Sequence, residues 1–165
     1  MIRYVIDASA AAEYLLRTIL GLKIADVIEG ADLIAPELLD VEVMSVLRRA
    51  VLRKRLDEHR ASLVVEDLID WQVERIPHVE LIREAWRHRH NASAYDSFYV
   101  ALASVYDVPL ITGDEPFVAS ACARHCRAEH TYRINHRFLF SPIRQQWLKL
   151  SKKLSDCASM IEVRK

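Results

Sequence analysis

The chain has 165 residues and a mass of 19.0 kDa, which suits one folded domain with a short appendage. The formal net charge is zero, but the charges are unevenly placed. Residues 1–120 hold 13 basic and 20 acidic side chains, and residues 121–165 hold 10 basic and 3 acidic ones, so an acidic body precedes a basic tail. The longest uncharged stretch has ten residues, against the roughly 20 that a membrane-spanning helix needs, and this argues against a membrane protein.

Short apolar runs alternate with helical patterns in the first half of the chain. They predict a strand at residues 2–6, helices at 8–16 and 18–29, a strand at 33–35, and a helix that begins near Pro36. That last helix is indicated by apolar side chains at helical spacing, namely Leu39, Val43, Val46, Leu47 and Ala50. Each predicted strand is thus followed by at least one helix.

The same alternation continues in the second half. It predicts a helix at residues 59–71, a break with a strand within 75–78, a helix at 81–89, a helix from Ser93 and a strand at 109–112. The helix from Ser93 is expected to bury one apolar face formed by Tyr95, Phe98, Tyr99, Leu102, Val105 and Tyr106. This order is typical of an α/β fold with a mainly parallel sheet, which binds ligands at the carboxyl ends of its strands.

Four acidic residues occupy positions to which this rule points. Asp7 directly follows the first strand, and Asp114 follows the last one across a single glycine. Glu42 lies among apolar neighbours in the helix after the second strand, and Asp96 lies in the first turn of the last predicted helix. Four carboxylates in one pocket require a cation, and their hard oxygen ligands suit Mg²⁺ or Mn²⁺. Such an ion activates water and neutralises phosphate charge, so the expected chemistry is phosphodiester hydrolysis.

Three of these acids also have a structural alternative. Ser93 and Asp96 have the spacing of a capping box, and Asp114 suits a turn before a proline. Glu42 is equally compatible with a position at the edge of the hydrophobic core and with a position in a metal site. A shared site is the stronger interpretation only when the four positions are considered together.

Four sequence blocks carry these acids, at residues 4–9, 35–42 with a continuation at 46–49, 94–103 and 109–114. In order, spacing and local context they resemble the PIN-domain ribonucleases, in particular the VapC-type toxins of prokaryotic toxin–antitoxin pairs. The resemblance covers about residues 1–120. It implies an α/β PIN-like nuclease domain at residues 1–125, with a short-stranded, mainly parallel sheet flanked by helices. Residues 126–165 are expected to form a basic, helical C-terminal extension.

The resemblance also implies an activity. In this family, the acids at the positions of Asp7, Glu42, Asp96 and Asp114 hold one or two divalent cations, and a metal-activated water cleaves RNA to leave a 5′-phosphate and a 3′-hydroxyl. The implied function is an Mg²⁺- or Mn²⁺-dependent endoribonuclease, the toxin of a VapBC-type system. These four acids would be its catalytic residues and its metal ligands.

Polar and basic side chains near the acids are further candidates. Ser9 and Thr112 occupy positions whose hydroxyls would hold the carboxylates or a bound water. The structural alternatives are a helix N-cap for Ser9 and a turn hydrogen bond for Thr112. An acidic pocket needs basic residues around it to attract RNA. The candidates for this role are Arg48, Arg49 and Arg89, for which a solvated helix face is the alternative.

The basic tail departs from the family pattern. Cysteine and histidine residues within residues 122–136 allow zinc binding, but they lack a paired Cys-x-x-Cys motif and coincidence is favoured. A heptad-like apolar seam follows, formed by Ile143, Trp147, Leu150, Leu154, Cys157 and Ile161. We expect this seam to dock on its own domain, on a second copy or on an antitoxin, with RNA contact as the alternative.

Partners and location follow from the same observations. The resemblance implies an RNA substrate, a cognate antitoxin, and a homodimer or a toxin–antitoxin hetero-oligomer. The N-terminus lacks the apolar core of a signal peptide and the three cysteines imply no disulfide framework, so we expect a cytoplasmic protein. A structure-specific DNA nuclease and a non-catalytic PIN-like interaction module are the alternative functions.

Overall fold

The computed structural model describes residues 2–113, which form four strands and six helices. The strands are β1 (Arg3–Ile6), β2 (Asp32–Pro36), β3 (Val73–Ile76) and β4 (Leu110–Ile111). The helices are α1 (Ala8–Leu15), α2 (Ile19–Ile28), α3 (Leu38–Leu52), α4 (Glu58–Asp70), α5 (His78–Arg87) and α6 (Ala94–Tyr106). None of these six helices has the length and hydrophobicity needed to cross a bilayer. Asp114, the proposed domain boundary, the cysteine–histidine cluster and the apolar seam lie outside the described residues.

The four strands form one parallel sheet in the order β3-β2-β1-β4. Val5 of β1 lies opposite Ile34 of β2 on one side and Leu110 of β4 on the other. From the central strand β1 the chain moves outward through β2 and β3, and it then returns to place β4 on the other side of β1. The strand order therefore reverses between β1 and β4, and such a reversal opens a crevice at the carboxyl ends of the two strands.

The core lies on both faces of this sheet. Val5, Ile6, Ile34 and Ile111 have no solvent-exposed surface, as expected for parallel strands that helices cover on both sides. Helix α6 packs across β1, β2 and β4, and α5 packs against α6. The predicted α/β fold with a short-stranded parallel sheet flanked by helices is thus confirmed.

The predicted buried face of α6 is partly wrong. Tyr95, Val105 and Tyr106 were expected in the core, yet 61%, 56% and 36% of their surfaces are exposed. The buried residues of α6 are Ser97, Tyr99, Val100, Ala101, Leu102 and Ala103. Small side chains on the inner face allow α6 to approach the sheet closely. The prediction counted only large apolar side chains, and it therefore placed the buried face too far toward Tyr95, Val105 and Tyr106.

The structure refines one predicted helix start and moves another. The helix predicted to begin near Pro36 is α3, which begins at Leu38, while Pro36 itself ends β2 opposite Ile76. The ladder continues past Pro36 because the backbone N–H of Glu37 donates to the carbonyl of Ile76 (3.1 Å). Helix α5 begins at His78, earlier than predicted, and the strand before it, β3, begins and ends two residues earlier than the expected 75–78.

Arg75 of β3 ties the end of α4 to the start of α3. Its guanidinium donates to the carbonyl oxygens of Leu68 (2.9 Å), Trp71 (2.8 Å) and Val73 (2.8 Å). It also donates to Oδ1 of Asp40, the nearest approach being 3.1 Å. A planar guanidinium has several N–H donors in a fixed arrangement, and it can therefore bind these three carbonyl oxygens and one carboxylate oxygen together.

Replacing Arg75 by Met should lower the free energy of unfolding by about 2 kcal/mol, because partly buried carbonyls and a carboxylate lose their donor. Arg3→Met is the matched control, since Arg3 only approaches Asp32 and Glu74 at 3.9 and 3.8 Å on a more exposed surface. Such pairs contribute about 0–1 kcal/mol. Urea unfolding followed by circular dichroism measures both values. Equal losses in the two variants would contradict the assigned role of Arg75.

Candidate active site

Asp7 lies at the carboxyl end of β1, beside the crevice between β1 and β4. It is 7% exposed, and its backbone N–H extends the ladder by donating to the carbonyl of Ile111 (3.1 Å). Its Oδ1 accepts the N–H of Ala10 (2.8 Å), so Asp7 is the N-cap of α1. The positive end of the α1 dipole and this hydrogen bond both favour a negative charge here. The fold therefore holds a buried carboxylate at the point where an α/β sheet binds its ligand.

Ser9 connects the carboxyl ends of β1 and β4. Its hydroxyl donates to Asp7 Oδ1 (2.7 Å), accepts the N–H of Gly113 (2.8 Å) and lies 3.4 Å from Thr112 Oγ1. The alternative in which Ser9 caps α1 is wrong, because Asp7 is the N-cap and Ser9 lies inside the first turn. Ser9 thereby fixes the start of the segment that leads to Asp114.

Glu42 is half-buried on α3, and its carboxylate reaches α6. The hydroxyl of Tyr99 donates to Glu42 Oε2 across 2.7 Å. Burial raises the pKa of Glu42 and the charge of Asp96 raises it further, while the bond from Tyr99 and the charge of Arg49 act in the opposite direction. This carboxylate is the kind of group whose charge a cation would stabilise.

Asp96 lies in the first turn of α6, where it takes part in the predicted capping interaction. Ser93 is the N-cap, and its Oγ accepts the N–H of Asp96 (3.1 Å) and donates to Asp96 Oδ2 (2.7 Å). The capping alternative is therefore confirmed as one role of this residue. It does not exclude a second role, since the bond orients the carboxylate and the charge of Asp96 acts on Glu42.

Tyr99 joins the described acids, and the sequence did not single it out. Its side chain is 2% exposed, its hydroxyl binds Glu42, and the charge of Asp7 also acts on it. Burial, followed by the neighbouring Glu42, raises the pKa of Tyr99 far above its usual range, so the hydroxyl keeps its proton. The available signal was the rule that a buried tyrosine hydroxyl needs a polar partner.

The described acids fit a divalent cation without forming a complete cage for it. Asp7, Glu42 and Asp96 are connected through Tyr99 and through charge, but no three acidic, histidine or cysteine side chains of residues 2–113 converge closely enough to hold a metal by themselves. Mg²⁺ commonly binds one or two carboxylates, several waters and a substrate phosphate. Hard oxygen donors and a carboxylate with a raised pKa suit such an ion. Whether all four acids share one site stays a prediction.

The three arginines predicted to contact nucleic acid are all exposed. Arg48 and Arg49 lie on α3, and the charge of Arg49 acts on Glu42. Arg89 lies just beyond α5, where its guanidinium stacks 5.4 Å from the centre of the Trp86 ring and donates to the Trp86 carbonyl (3.0 Å). Their contact with nucleic acid stays a prediction.

Comparison with known protein families and curated proteins gives consistent matches. The sequence profile of the PIN domain matches residues 4–121. Ribonuclease VapC12 of Mycobacterium tuberculosis is 38% identical over 110 residues, which are 67% of this chain and 85% of that protein. Ribonuclease VapC1 of Mycobacterium tuberculosis is 46% identical over 87 residues, which are 52% of this chain. The match spans 65% of the length of VapC1, just under two thirds.

Solved structures share the fold at lower sequence identity. PAE2754 from Pyrobaculum aerophilum superimposes with a TM-score of 0.54 at 23% identity, over 72% of this chain and 84% of its own. VapC20 from Mycobacterium tuberculosis, described as a toxin that cleaves the sarcin–ricin loop, gives 0.54 at 15% identity, over 71% of this chain and 94% of its own. At these identities the likeness concerns the fold alone.

Proposed function

Because the chain belongs to the PIN domain family, we propose that it is a divalent-metal-dependent endoribonuclease and the toxin of a VapBC-type toxin–antitoxin pair. The observation that carries this proposal is the connection of Asp7, Glu42 and Asp96 through Tyr99 and through charge at the carboxyl edge of the sheet. The names of the relatives VapC1 and VapC12, both ribonucleases, support the same reaction class.

The four acids would hold Mg²⁺ or Mn²⁺, with Asp7, Asp96 and Asp114 as ligands and Glu42 as a further ligand or as the group that orients the nucleophilic water. When bound, the ion supplies Lewis-acid activation of water and offsets charge on the phosphodiester. The protein itself orients the carboxylates. Asp7 is held at the start of α1 by the N–H of Ala10, Asp96 is held by the Ser93 hydroxyl, and Glu42 is held by the Tyr99 hydroxyl. The expected products carry a 5′-phosphate and a 3′-hydroxyl.

Substrate and protein partners are part of the proposal. Arg48, Arg49 and Arg89 would contact the RNA backbone, and the exposed ring of Trp86 beside Arg89 supports contact with a flexible single strand. A cognate antitoxin, and a homodimer or a toxin–antitoxin hetero-oligomer, are the proposed partners. Val79 and Ile82 on α5 are 75% and 52% exposed and lie on one helix face, which supports an interface with another chain. The proposed location is the cytoplasm.

A substrate panel tests the function and separates it from its alternatives. Purified protein is incubated with single-stranded RNA, structured RNA, single-stranded DNA and branched DNA, each with Mg²⁺, with Mn²⁺ and with EDTA. We expect internal RNA cleavage that needs the metal. Cleavage of branched DNA in place of RNA would support a structure-specific DNA nuclease. No cleavage, together with no divalent-ion binding in a titration, would support a non-catalytic interaction module.

Ser9→Ala should lower the rate of RNA cleavage about tenfold, because Asp7 and the segment after β4 lose the hydroxyl that connects them. The free energy of unfolding should fall by only about 1 kcal/mol. Ser62→Ala is the control, since Ser62 donates to a carbonyl on the exposed surface of α4. An unchanged cleavage rate in Ser9→Ala would show that this connection does not serve the site.

A further inference from the structure

Tyr99 is a buried side chain whose polar atom points to the proposed site. It lies on α6, three residues after Asp96, and 2% of its surface is exposed. Its hydroxyl is 2.7 Å from Glu42 Oε2, the distance of a strong hydrogen bond between a hydroxyl and a carboxylate. One oxygen atom therefore connects α6 with α3.

Glu42 needs such a partner to keep one orientation. A glutamate side chain has three rotatable bonds, and ordering it costs conformational entropy. Tyrosine has a rigid ring, and burial of this ring fixes the direction from which its hydroxyl reaches Oε2. Within residues 2–113, Tyr99 is the hydrogen-bond partner of the Glu42 carboxylate.

We propose that Tyr99 is the positioning residue for Glu42, which it holds by Oε2 so that Oε1 serves the divalent cation or the water of the reaction. The proposal rests on the proposed function, because it gives Glu42 a role in cleavage. Tyr99 itself does not contact substrate. Its contribution is the pre-orientation of a carboxylate before metal or RNA arrives, as supporting residues do in other metal sites.

Tyr99→Phe removes the hydroxyl and keeps the buried ring. We expect the dissociation constant for Mn²⁺, measured by calorimetry without RNA, to rise about tenfold. The turnover number on RNA should fall by a similar factor while KM changes little, because Tyr99 does not touch the substrate. Tyr106→Phe is the control, since Tyr106 lies on the same helix with its ring partly exposed and should leave both quantities unchanged.

A double-mutant cycle separates positioning from a general structural role. In Glu42→Gln protein, the additional change Tyr99→Phe should have almost no further effect on Mn²⁺ affinity, because the carboxylate it orients is gone. Thermal unfolding of each variant shows that the proteins tested are folded. Equal losses from Tyr99→Phe in the wild-type and Glu42→Gln backgrounds, or no loss in either, would overturn the positioning role while leaving the proposed function intact. Wild-type protein that neither binds Mn²⁺ nor cleaves RNA would overturn both.

Discussion

Asp96→Asn is expected to reduce metal-dependent RNA cleavage by at least about a hundredfold and to leave the fold intact. The loss follows from removal of one anionic ligand, since stabilisation by a bound metal contributes several kcal/mol and each 1.36 kcal/mol changes the rate tenfold. The fold should survive because an asparagine oxygen still accepts the hydrogen bond from Ser93, and the cap itself is formed by the Ser93 hydroxyl and the backbone N–H of residue 96.

Asp107→Asn provides the control for charge and helix. Asp107 ends α6 in the left-handed backbone region (φ 52°), which asparagine also tolerates, and it is exposed at the opposite end of the helix from Asp96. This variant should cleave RNA at the wild-type rate. Circular dichroism and the unfolding midpoint verify that both variants are folded. Undiminished cleavage by Asp96→Asn would remove Asp96 from the site.

Glu42→Gln is expected to lose cleavage and, without metal, to become more stable than the wild-type protein. Burial raises the pKa of Glu42 above its ordinary value of 4.5, so the folded state holds the proton more tightly than the unfolded chain does. The stability associated with the protonated group is fully present below that ordinary value and is lost as the pH rises through the folded-state pKa. Glutamine carries no charge at any pH and still accepts the Tyr99 hydrogen bond.

The stability difference between Glu42→Gln and wild-type protein should therefore be small near pH 4 and should grow toward pH 7. Thermal unfolding in EDTA at both pH values measures it, and a midpoint shift of about 2–4 °C corresponds to each kcal/mol in a chain of this size. Adding Mn²⁺ should raise the unfolding midpoint of wild-type protein more than that of the variant. A ligand stabilises the folded state in proportion to its affinity for it, and the variant lacks one anionic ligand for the ion. A variant that is less stable than wild type at both pH values would contradict the assigned environment of Glu42.

Much of the fold follows from the sequence because short buried strands and amphipathic helices have distinct periods. The order of strands and helices agrees with the structure, and Asp7 lies at the end of β1 as predicted. The helix predicted to begin near Pro36 begins two residues later, at Leu38, because Pro36 still belongs to β2 and pairs with Ile76 of β3, forty residues later in the chain. A local pattern does not contain that contact.

The candidate site was less accessible to sequence reasoning than the fold. The four acids were proposed because each follows a strand or lies early on a helix, and their sharing of one site stays a prediction, but the groups that support them depend on distant contacts. The sequence predicted that the Ser9 hydroxyl would hold a carboxylate, and it does donate to Asp7, but the bond that it accepts from the N–H of Gly113 joins residues 104 positions apart. Tyr99 looked like an ordinary core residue, because the partner of its hydroxyl, Glu42, lies 57 residues away in the sequence.

Asp7, Glu42 and Asp96, with Asp114, are proposed to form one divalent-cation site. The most direct test is an anomalous difference map at the manganese absorption edge, from crystals of the wild-type protein soaked in Mn²⁺. We predict a peak at the carboxyl edge of the sheet, between the ends of β1 and β4, at coordinating distance from carboxylate oxygens of this set. Saturating Mn²⁺ that leaves this edge empty, or binds only at other residues, would contradict the account.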